Sequence, residues 1–297
     1  MVSVLIPIYN QSVVSLIREI SDQLSKLTID FEIIAIDDGS EVRFHAINEP
    51  IRAFRKVQYF LQGKNIGRSA IRNRLAQLAQ FENLIFLDCD SEISNPAFFA
   101  TYLLYVKCDV VYGGTHYPDQ KNAPETVLHA KFGKLREALP AEKRNENGWM
   151  TFKTNNFMIK KSVLLEIPFD EGITRYGYED VVLAEDLKEK GINVTHIDNP
   201  VIHTGLETNE VFLTKTEDSL SNLAELVNLG KISETRLLAF HEKVGWIMDV
   251  PGMQSVVLWA IKRMRNILAG GSGNLWQFDL WKIMVYHQKR KSLPKIR

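Results

Sequence analysis

Four large apolar residues, Leu84-Ile85-Phe86-Leu87, run without a break into Asp88-Cys89-Asp90. An apolar run with no alternating polar residues is the pattern of a strand buried on both faces of a parallel sheet, although one this short is also compatible with a helix. Read as a strand, it puts Asp88 and Asp90 on the same side, because side chains two apart point the same way. Unpaired carboxylates beside an apolar core are costly, and a hard divalent cation with oxygen ligands removes that cost. Ligands of open α/β sheets also bind beyond the carboxyl ends of the strands, where these acids would lie. The pair therefore reads as a metal site, against the plainer alternative of a solvated turn.

The chain upstream repeats this design. Val2 to Ile6 is an apolar run closed by Pro7, followed by Val13, Leu16, Ile17, Ile20, Leu24 and Leu27 at helical spacing. Phe31 to Ile36 is a second buried strand ending in Asp37-Asp38-Gly39-Ser40, a second acidic edge at the same end of the sheet. Val57, Tyr59 and Leu61 alternate as a short strand, Asn65-Ile66-Gly67 turns the chain, and a helix from about Ser69 carries Ile71, Leu75 and Leu78 on its apolar face. Pro96 to Val106 reads as a covering helix and Asp109 to Gly114 as a further strand. This alternation predicts an α/β fold with a mostly parallel, doubly wound sheet. Neither Gly-x-Gly-x-x-Gly nor Gly-x-x-x-x-Gly-Lys occurs. That argues against a nicotinamide dehydrogenase and a P-loop ATPase, and leaves metal and carboxylates to hold any nucleotide.

Lys and Arg (36) balance Asp and Glu (36), so no global charge recruits nucleic acid. Cys89 and Cys108 form no disulfide framework and read as buried thiols of a reducing compartment. The N-terminus lacks the basic region of a signal peptide, and no apolar run is long enough to span a bilayer. The expected location is the cytoplasm, soluble or peripheral at the membrane.

Taken together, Val2-Ser3-Val4-Leu5-Ile6-Pro7-Ile8-Tyr9-Asn10, Asp37-Asp38-Gly39-Ser40, Asn65-Ile66-Gly67 with Arg72-Asn73, and Leu87-Asp88-Cys89-Asp90 resemble the family 2 glycosyltransferases, whose fold is called GT-A. Phe169-Asp170-Glu171 and Gly177-Tyr178-Glu179-Asp180 look like the acceptor-side segment of inverting members. The similarity runs from residue 1 to about 206. It implies a GT-A catalytic domain over 1–206, with a nucleotide-sugar half (1–115) and an acceptor half (116–206), followed by a mainly helical region over 207–297. It implies that Asp37 or Asp38 meets the uracil of a UDP-sugar, that Pro7 and Tyr9 line the base pocket, and that Asn65, Gly67 and Arg72 belong to the nucleotide-sugar site. Asp88 would lie near ribose and sugar, and Asp90 would bind Mn²⁺ or Mg²⁺, joined by Asp88 and by His203, with His196 as the rival histidine. Asp180 would be the general base and Glu179 would orient the acceptor. Trp149, Asn155 and Asn156 would touch the acceptor, a glycan or lipid-linked saccharide in polysaccharide or lipopolysaccharide synthesis. Processive synthases of this family carry transmembrane helices and Gln-x-x-Arg-Trp. Neither occurs here, which implies one sugar per encounter.

The residues keep other readings open. Carboxylates at a helix start, such as Glu179-Asp180, also serve as caps. Arg72 suits a structural ion pair as well as a bound phosphate. A catalytically silent nucleotide-sugar or glycan binding module would use the same fold. A metal-dependent nucleotidyltransferase or pyrophosphatase would need a phosphate-binding loop after the first strand, which Pro7-Ile8-Tyr9-Asn10-Gln11 does not supply. The polar stretch from Gly113 to Trp149, with Lys121-Asn122-Ala123-Pro124 in it, has the composition of a loop that orders over a donor or of a surface excursion.

Beyond Glu207 the pattern turns helical. Met253, Val256, Val257, Ala260, Ile261, Met264, Ile267 and Leu268 share a face, Gly270-Gly271-Ser272-Gly273 stops the helix, and an aromatic segment spans Leu275 to Ile283. From Trp281 onward there are six basic residues and no acid. This composition fits peripheral contact with an anionic membrane, or packing on the catalytic domain or a second copy; oligomeric state is not legible.

Overall fold

A computed structural model describes residues 1–118 and 123–294. Within it the chain forms two compact units. One holds Met1–Pro118, Glu137–Thr174 and Glu179–Gly205, and the other holds 123–136, Arg175–Tyr178 and 206–294. Lys121 and Asn122, part of the loop singled out above, lie outside the described residues, as do Lys295 and Arg297 of the basic tail.

The first unit runs β1 (Val2–Ile8), α1 (Val14–Ser25), β2 (Phe31–Asp37), α2 (Val42–Asn48), β3 (Val57–Leu61), α3 (Arg68–Leu78), β4 (Asn83–Leu87), β5 (Ser91–Glu92), α4 (Phe98–Leu103), β6 (Val110–Tyr112) and β7 (Thr115–His116). After α5 (Val127–Phe132), which belongs to the second unit, it resumes with α6 (Ala141–Asn145), β8 (Asn156–Lys160), α7 (Lys161–Glu166), α8 (Glu179–Glu189), β9 (Val194–His196) and β10 (Val201–His203). The main sheet has the order β3-β2-β1-β4-β8-β6-β9, with β8 antiparallel to β4 and β6 and every other pairing parallel. This is the doubly wound, mostly parallel GT-A sheet flanked by helices.

Strand parity explains the two cores. Val4, Ile6, Ile33, Ala35, Ile85 and Leu87 pack on one face with Leu16, Ile17 and Ile20 of α1. Leu5, Ile34, Ile36, Leu84 and Phe86 pack on the other with Ile71 and Leu75 of α3 and Leu183 and Leu187 of α8. Both faces are covered, so these strands carry no polar alternation. One expectation fails here: Leu78 is exposed at the C-terminal end of α3. The buried face of that helix instead includes Ser69, Arg72 and Asn73, which a search for apolar periodicity overlooks. The predicted irregular stretch from Gly113 to Trp149 also holds structure, including β7, α5 and α6. Both cysteines are half-buried rather than buried.

A small second sheet, β5-β10-β7, pairs His203 antiparallel with Ser91 and thereby brings the end of β10 to the segment after β4.

The second unit contains α5, α9 (Asn209–Asn228), α10 (Arg236–Val244), α11 (Met253–Ala269) and α12 (Leu275–Ser292). Thr208 and Thr235 cap α9 and α10, and Asn274 with Gln277 forms a capping box on α12. Phe132, Phe212, Phe278 and Trp281 form a chain of ring contacts inside it. Trp281 is fully buried. Of the aromatic segment, Phe278, Trp281 and Ile283 are buried and Trp276 is exposed. None of the described helices is long and apolar enough to cross a membrane.

Candidate active site

Parity predicts where the acids go. Asp38 continues the series Ile34, Ile36, and Asp88 continues Leu84, Phe86, so both emerge on the face covered by α3 and α8. Asp38 accepts hydrogen bonds from the backbone N–H groups of Ile66 (2.8 Å) and Gly67 (3.1 Å), fixing the loop that starts α3. Burial raises its pKa, opposed by those two bonds. Gly39 (φ +78°) must be glycine, since an added Cβ would lie 2.5 Å from the Asn65 nitrogen. Asp37, on the opposite parity, is fully buried. Its Oδ1 accepts from the Ser40 N–H (2.7 Å) and lies 3.5 Å from His45 Nε2; the Tyr59 hydroxyl faces the same carboxylate, whose Oδ2 meets no donor in good hydrogen-bond geometry. A buried carboxylate oxygen without a donor is costly unless a ligand supplies one. The pair divides accordingly: Asp38 holds the loop and Asp37 keeps an open acceptor. Tyr9 is exposed, Pro7 and Gly67 are half-buried, and Asn65 is exposed.

Asp88 meets Arg72 of α3, with Nη2 donating to Oδ1 at 2.8 Å. Burial raises the Asp88 pKa against the pull of Arg72, and the Asp90 charge pushes it the same way as burial. Asp90 turns to β10, where its Oδ2 is 3.4 Å from His203 Nδ1. Burial alone would raise the Asp90 pKa, but the hydrogen bond and charge of His203 hold it below the usual carboxylate value. His203 is correspondingly raised: burial would lower it, and the Asp90 hydrogen bond and charge prevail. The backbone oxygen of Asp90 accepts from Thr204 N–H (3.0 Å) and Oγ1 (2.8 Å), and Gly205 leaves the carboxylate its space, since a Cβ there would lie 2.6 Å from Oδ2. His196, the rival histidine, lies in β9 with Nε2 on the Gly148 carbonyl (2.8 Å) and Nδ1 facing Arg144 (3.3 Å). Those contacts occupy both its ring nitrogens, so it is a structural histidine.

A carboxylate and an imidazole side by side form a donor set suited to Mn²⁺. Among the described residues no three His, Cys, Asp or Glu side chains form a ready-made cage, so the protein offers Asp90 and His203, and the rest of a coordination shell would come from water and ligand oxygens.

The second carboxylate pair opens α8. Glu179 Oε1 receives Arg68 Nη1 at 3.3 Å and lies 3.5 Å from Arg72 Nη1. A single buried guanidinium thus joins Asp88 to Glu179. Asp180 accepts from the Val181 N–H at Oδ1 (2.9 Å) and from Lys153 Nζ at Oδ2 (2.8 Å). Burial would lower the Lys153 pKa, but Asp180 raises it above the lysine range. The backbone before this pair is strained, with Gly177 at φ +85° and Tyr178 at +70°, the latter uncommon for a bulky residue.

Two of the acceptor candidates have structural roles of their own. Asn156 is fully buried, accepts from the Tyr102 hydroxyl (2.7 Å) and donates to the Gly114 and Asn199 carbonyls. Trp149 packs on the core and donates its indole N–H to the Ile192 carbonyl (2.9 Å). Both have spent their polar groups on the fold. Asn155 donates to Thr115 Oγ1 (2.7 Å), and its backbone oxygen receives the Asp88 N–H (2.9 Å), which puts it beside the acids. Lys153 and Arg144 were missed; Arg144 is buried, donates to the Leu139, Tyr112, Gly113 and Ile197 carbonyls, and pins the segment after β7. Their partners are remote in sequence, and no local pattern marks them.

A GT-A sheet with acids gathered at its carboxyl edge defines a nucleotide-sugar transferase scaffold. The family model described as glycosyl transferase family 2 matches residues 3–175, more than half of the chain, and the protein belongs to that family. A curated relative from Haemophilus influenzae, described as an uncharacterized glycosyltransferase, is 33% identical over 96 residues; the match covers 32% of this chain and spans 38% of the relative's length. Among solved structures, PcManGT, a mannosyltransferase from Pyrobaculum calidifontis in complex with GDP-Man and Mn²⁺, aligns with a TM-score of 0.59 and 11% identity, over 98% of this chain and 87% of that one. S. aureus TarS 1–349 aligns at 0.52 and 17% identity, over 98% and 90%. At these identities the likeness establishes the fold.

Proposed function

We propose that the protein is a metal-dependent, inverting glycosyltransferase that moves a sugar from a UDP-sugar to a hydroxyl of a glycan or lipid-linked saccharide, one sugar per encounter. The work is assigned to the cytoplasm, in building a cell-surface polysaccharide or lipopolysaccharide. The catalytic domain is assigned to 1–206 and the helical region to 207–297. The observation that carries this reading is the run of charges Asp88–Arg72–Glu179, which ties the donor-side acid to the acceptor-side pair through one buried guanidinium. Solved relatives hold the ligands such a site implies: TarS 1–349 with UDP, and glucosyl-3-phosphoglycerate synthase from Mycobacterium tuberculosis with Mn²⁺ and UDP.

In this reading the open Oδ2 of Asp37 accepts from the uracil N–H, with Pro7 and Tyr9 beside the base and the Asn65–Gly67 loop, held by Asp38, along the nucleotide. Asp90 and His203, together with Asp88, would hold Mn²⁺ or Mg²⁺, and Asp88 would also face the ribose and sugar. The cation, when bound, supplies positive charge beside the diphosphate leaving group. The acceptor hydroxyl attacks the anomeric carbon, the bond from that carbon to the diphosphate oxygen breaks, UDP departs, and the hydroxyl proton passes to Asp180. Glu179, held by Arg68 and Arg72, orients the acceptor, and Lys153 fixes the Asp180 rotamer. Asn155 remains an acceptor-side candidate.

A silent binding module is favoured by one observation, that both Asp180 oxygens are already engaged. UDP release from a panel of UDP-sugars, with and without Mn²⁺, separates the readings. Slow metal-dependent hydrolysis of one donor is expected, lost in Asp90→Ala; an added acceptor mixture should then accelerate the wild type but not Asp180→Asn. Donor binding without turnover under any acceptor, equal in wild type and Asp180→Asn, would establish the binding module instead.

A further inference from the structure

The second unit carries an apolar surface that its own core does not use. Its inward faces are Leu237 and Val244 of α10, Met248 of the turn at Gly245–Asp249, and Val257, Ala260, Ile261 and Met264 of α11, all packed around Ile283 and Met284 of α12. The outward side of the same segment presents Phe240, Trp246, Ile247, Val250, Val256 and Trp259, each more than two-fifths exposed. Trp246 is 66% and Trp259 63% exposed, where tryptophan is ordinarily well covered.

Charge decides what this surface fits. Val250 to Ile261 contains no charged residue, and no acid occurs between Asp249 and Asp279. Exposed Lys262 and Arg263 follow one turn after Trp259, with the Arg263 guanidinium 5.5 Å from the Trp259 ring centre, and exposed Lys243 precedes Trp246, whose indole N–H donates to its carbonyl. Of the nearby acids, Asp249 is paired with Lys291 and Glu242 is exposed beside Lys243. Residues 236–297 hold eleven Lys and Arg against three acids, in a chain whose net charge is zero. Tryptophan rings between basic side chains suit the boundary where acyl chains meet anionic headgroups: the rings enter, and the long basic stems reach back to the phosphates.

We infer that the surface formed by residues 240–263 docks on an anionic phospholipid bilayer. The inference is independent of the transfer reaction and narrows the membrane contact expected of the C-terminal region to the Trp246–Trp259 surface.

The test is co-sedimentation of the full-length protein with phosphatidylcholine vesicles with and without phosphatidylglycerol. Binding should require phosphatidylglycerol and weaken as salt is added. Trp246→Ser/Trp259→Ser should lose binding at least tenfold. Lys262→Gln/Arg263→Gln should lose about tenfold to thirtyfold at low salt, since each basic residue near the surface contributes about fivefold. All four side chains are exposed, so far-UV circular dichroism and the unfolding midpoint should match wild type. Equal binding to neutral vesicles, no binding at all, or binding unchanged in both double variants overturns the inference. So does a wild-type dimer in solution that Trp246→Ser/Trp259→Ser converts to monomer without any vesicle binding in either protein; that would assign the surface to a second copy of the chain.

Discussion

Replacing Arg72 by methionine tests whether one guanidinium organises the acids at the sheet edge. The side chain is 4% exposed and faces Asp88 at 2.8 Å and Glu179 at 3.5 Å, with its guanidinium 5.6 Å from the Phe169 ring centre. Methionine keeps much of the volume and removes the charge, so the loss is electrostatic rather than a cavity. Deleting one partner of a fully buried pair costs about 3–5 kcal/mol, because the remaining charge is left uncompensated. The Asp88 side chain is 33% exposed, so water recovers part of that penalty, and about 2–3 kcal/mol is expected. Arg72→Lys keeps the charge but not the fork that reaches both acids, and should lose about half as much. Urea unfolding of Arg72→Met, Asp88→Asn and the double variant measures the coupling directly. Neutralising Asp88 removes the charge that Arg72 compensates, so the double variant should recover about 1–2 kcal/mol relative to additivity. The Asp88 pKa, raised by burial and lowered by Arg72, should rise further in Arg72→Met. A loss below about 0.5 kcal/mol in Arg72→Met, the size of an ordinary surface substitution, or an additive cycle would refute the role assigned to Arg72.

Gly205→Ala places a methyl 2.6 Å from Asp90 Oδ2, so Mn²⁺-dependent UDP release should fall at least tenfold while the urea midpoint moves little; full activity would mean that Asp90 is not held where it is needed. Gly39→Ala combines a φ of +78° with backbone 2.5 Å away and should destabilise by about 2 kcal/mol or more, read by urea unfolding. His196 gives a pH signature. Burial first, then Arg144, depress it to about 4, against the Gly148 hydrogen bond. The unfolded chain then binds the extra proton below about 6.5, so stability present at neutral pH is lost as the pH falls towards 4. Allowing for partial solvation the loss is about 2 kcal/mol, and it should shrink in His196→Gln on comparing urea unfolding at both ends of that range.

How far the sequence discloses this molecule follows from the range of the interaction concerned. Strand parity is local, and it forecasts that Asp88 and Asp38 leave the sheet on the side of Phe86 and Ile36, where α3 and α8 lie. Turn chemistry is local too, so Asn65-Ile66-Gly67 is legible as the turn ahead of α3. The partner of each acid is not local. Asp88 meets a residue 16 positions away, Asp180 one 27 away, and Glu179 meets Arg68 across 111. Lys153 and Arg144 carry no periodic signal because each is specified by its partners, the Asp180 carboxylate for half-buried Lys153 and four backbone carbonyls for buried Arg144, and most of these come from other elements. Trp149 and Asn156 are ambiguous for the converse reason. An indole or an amide serves a core hydrogen bond as readily as a sugar, and only burial with every polar atom satisfied separates the two uses. The same ambiguity governs the tryptophans of the helical unit. Trp281 is core and Trp246 and Trp259 are surface, yet all three sit in amphipathic stretches with basic residues nearby. What distinguishes them is which side of each helix its neighbours cover, the rings around Phe278 for Trp281 and the Met284 core behind Trp246 and Trp259, a choice made by several helices packing together and absent from any one of them.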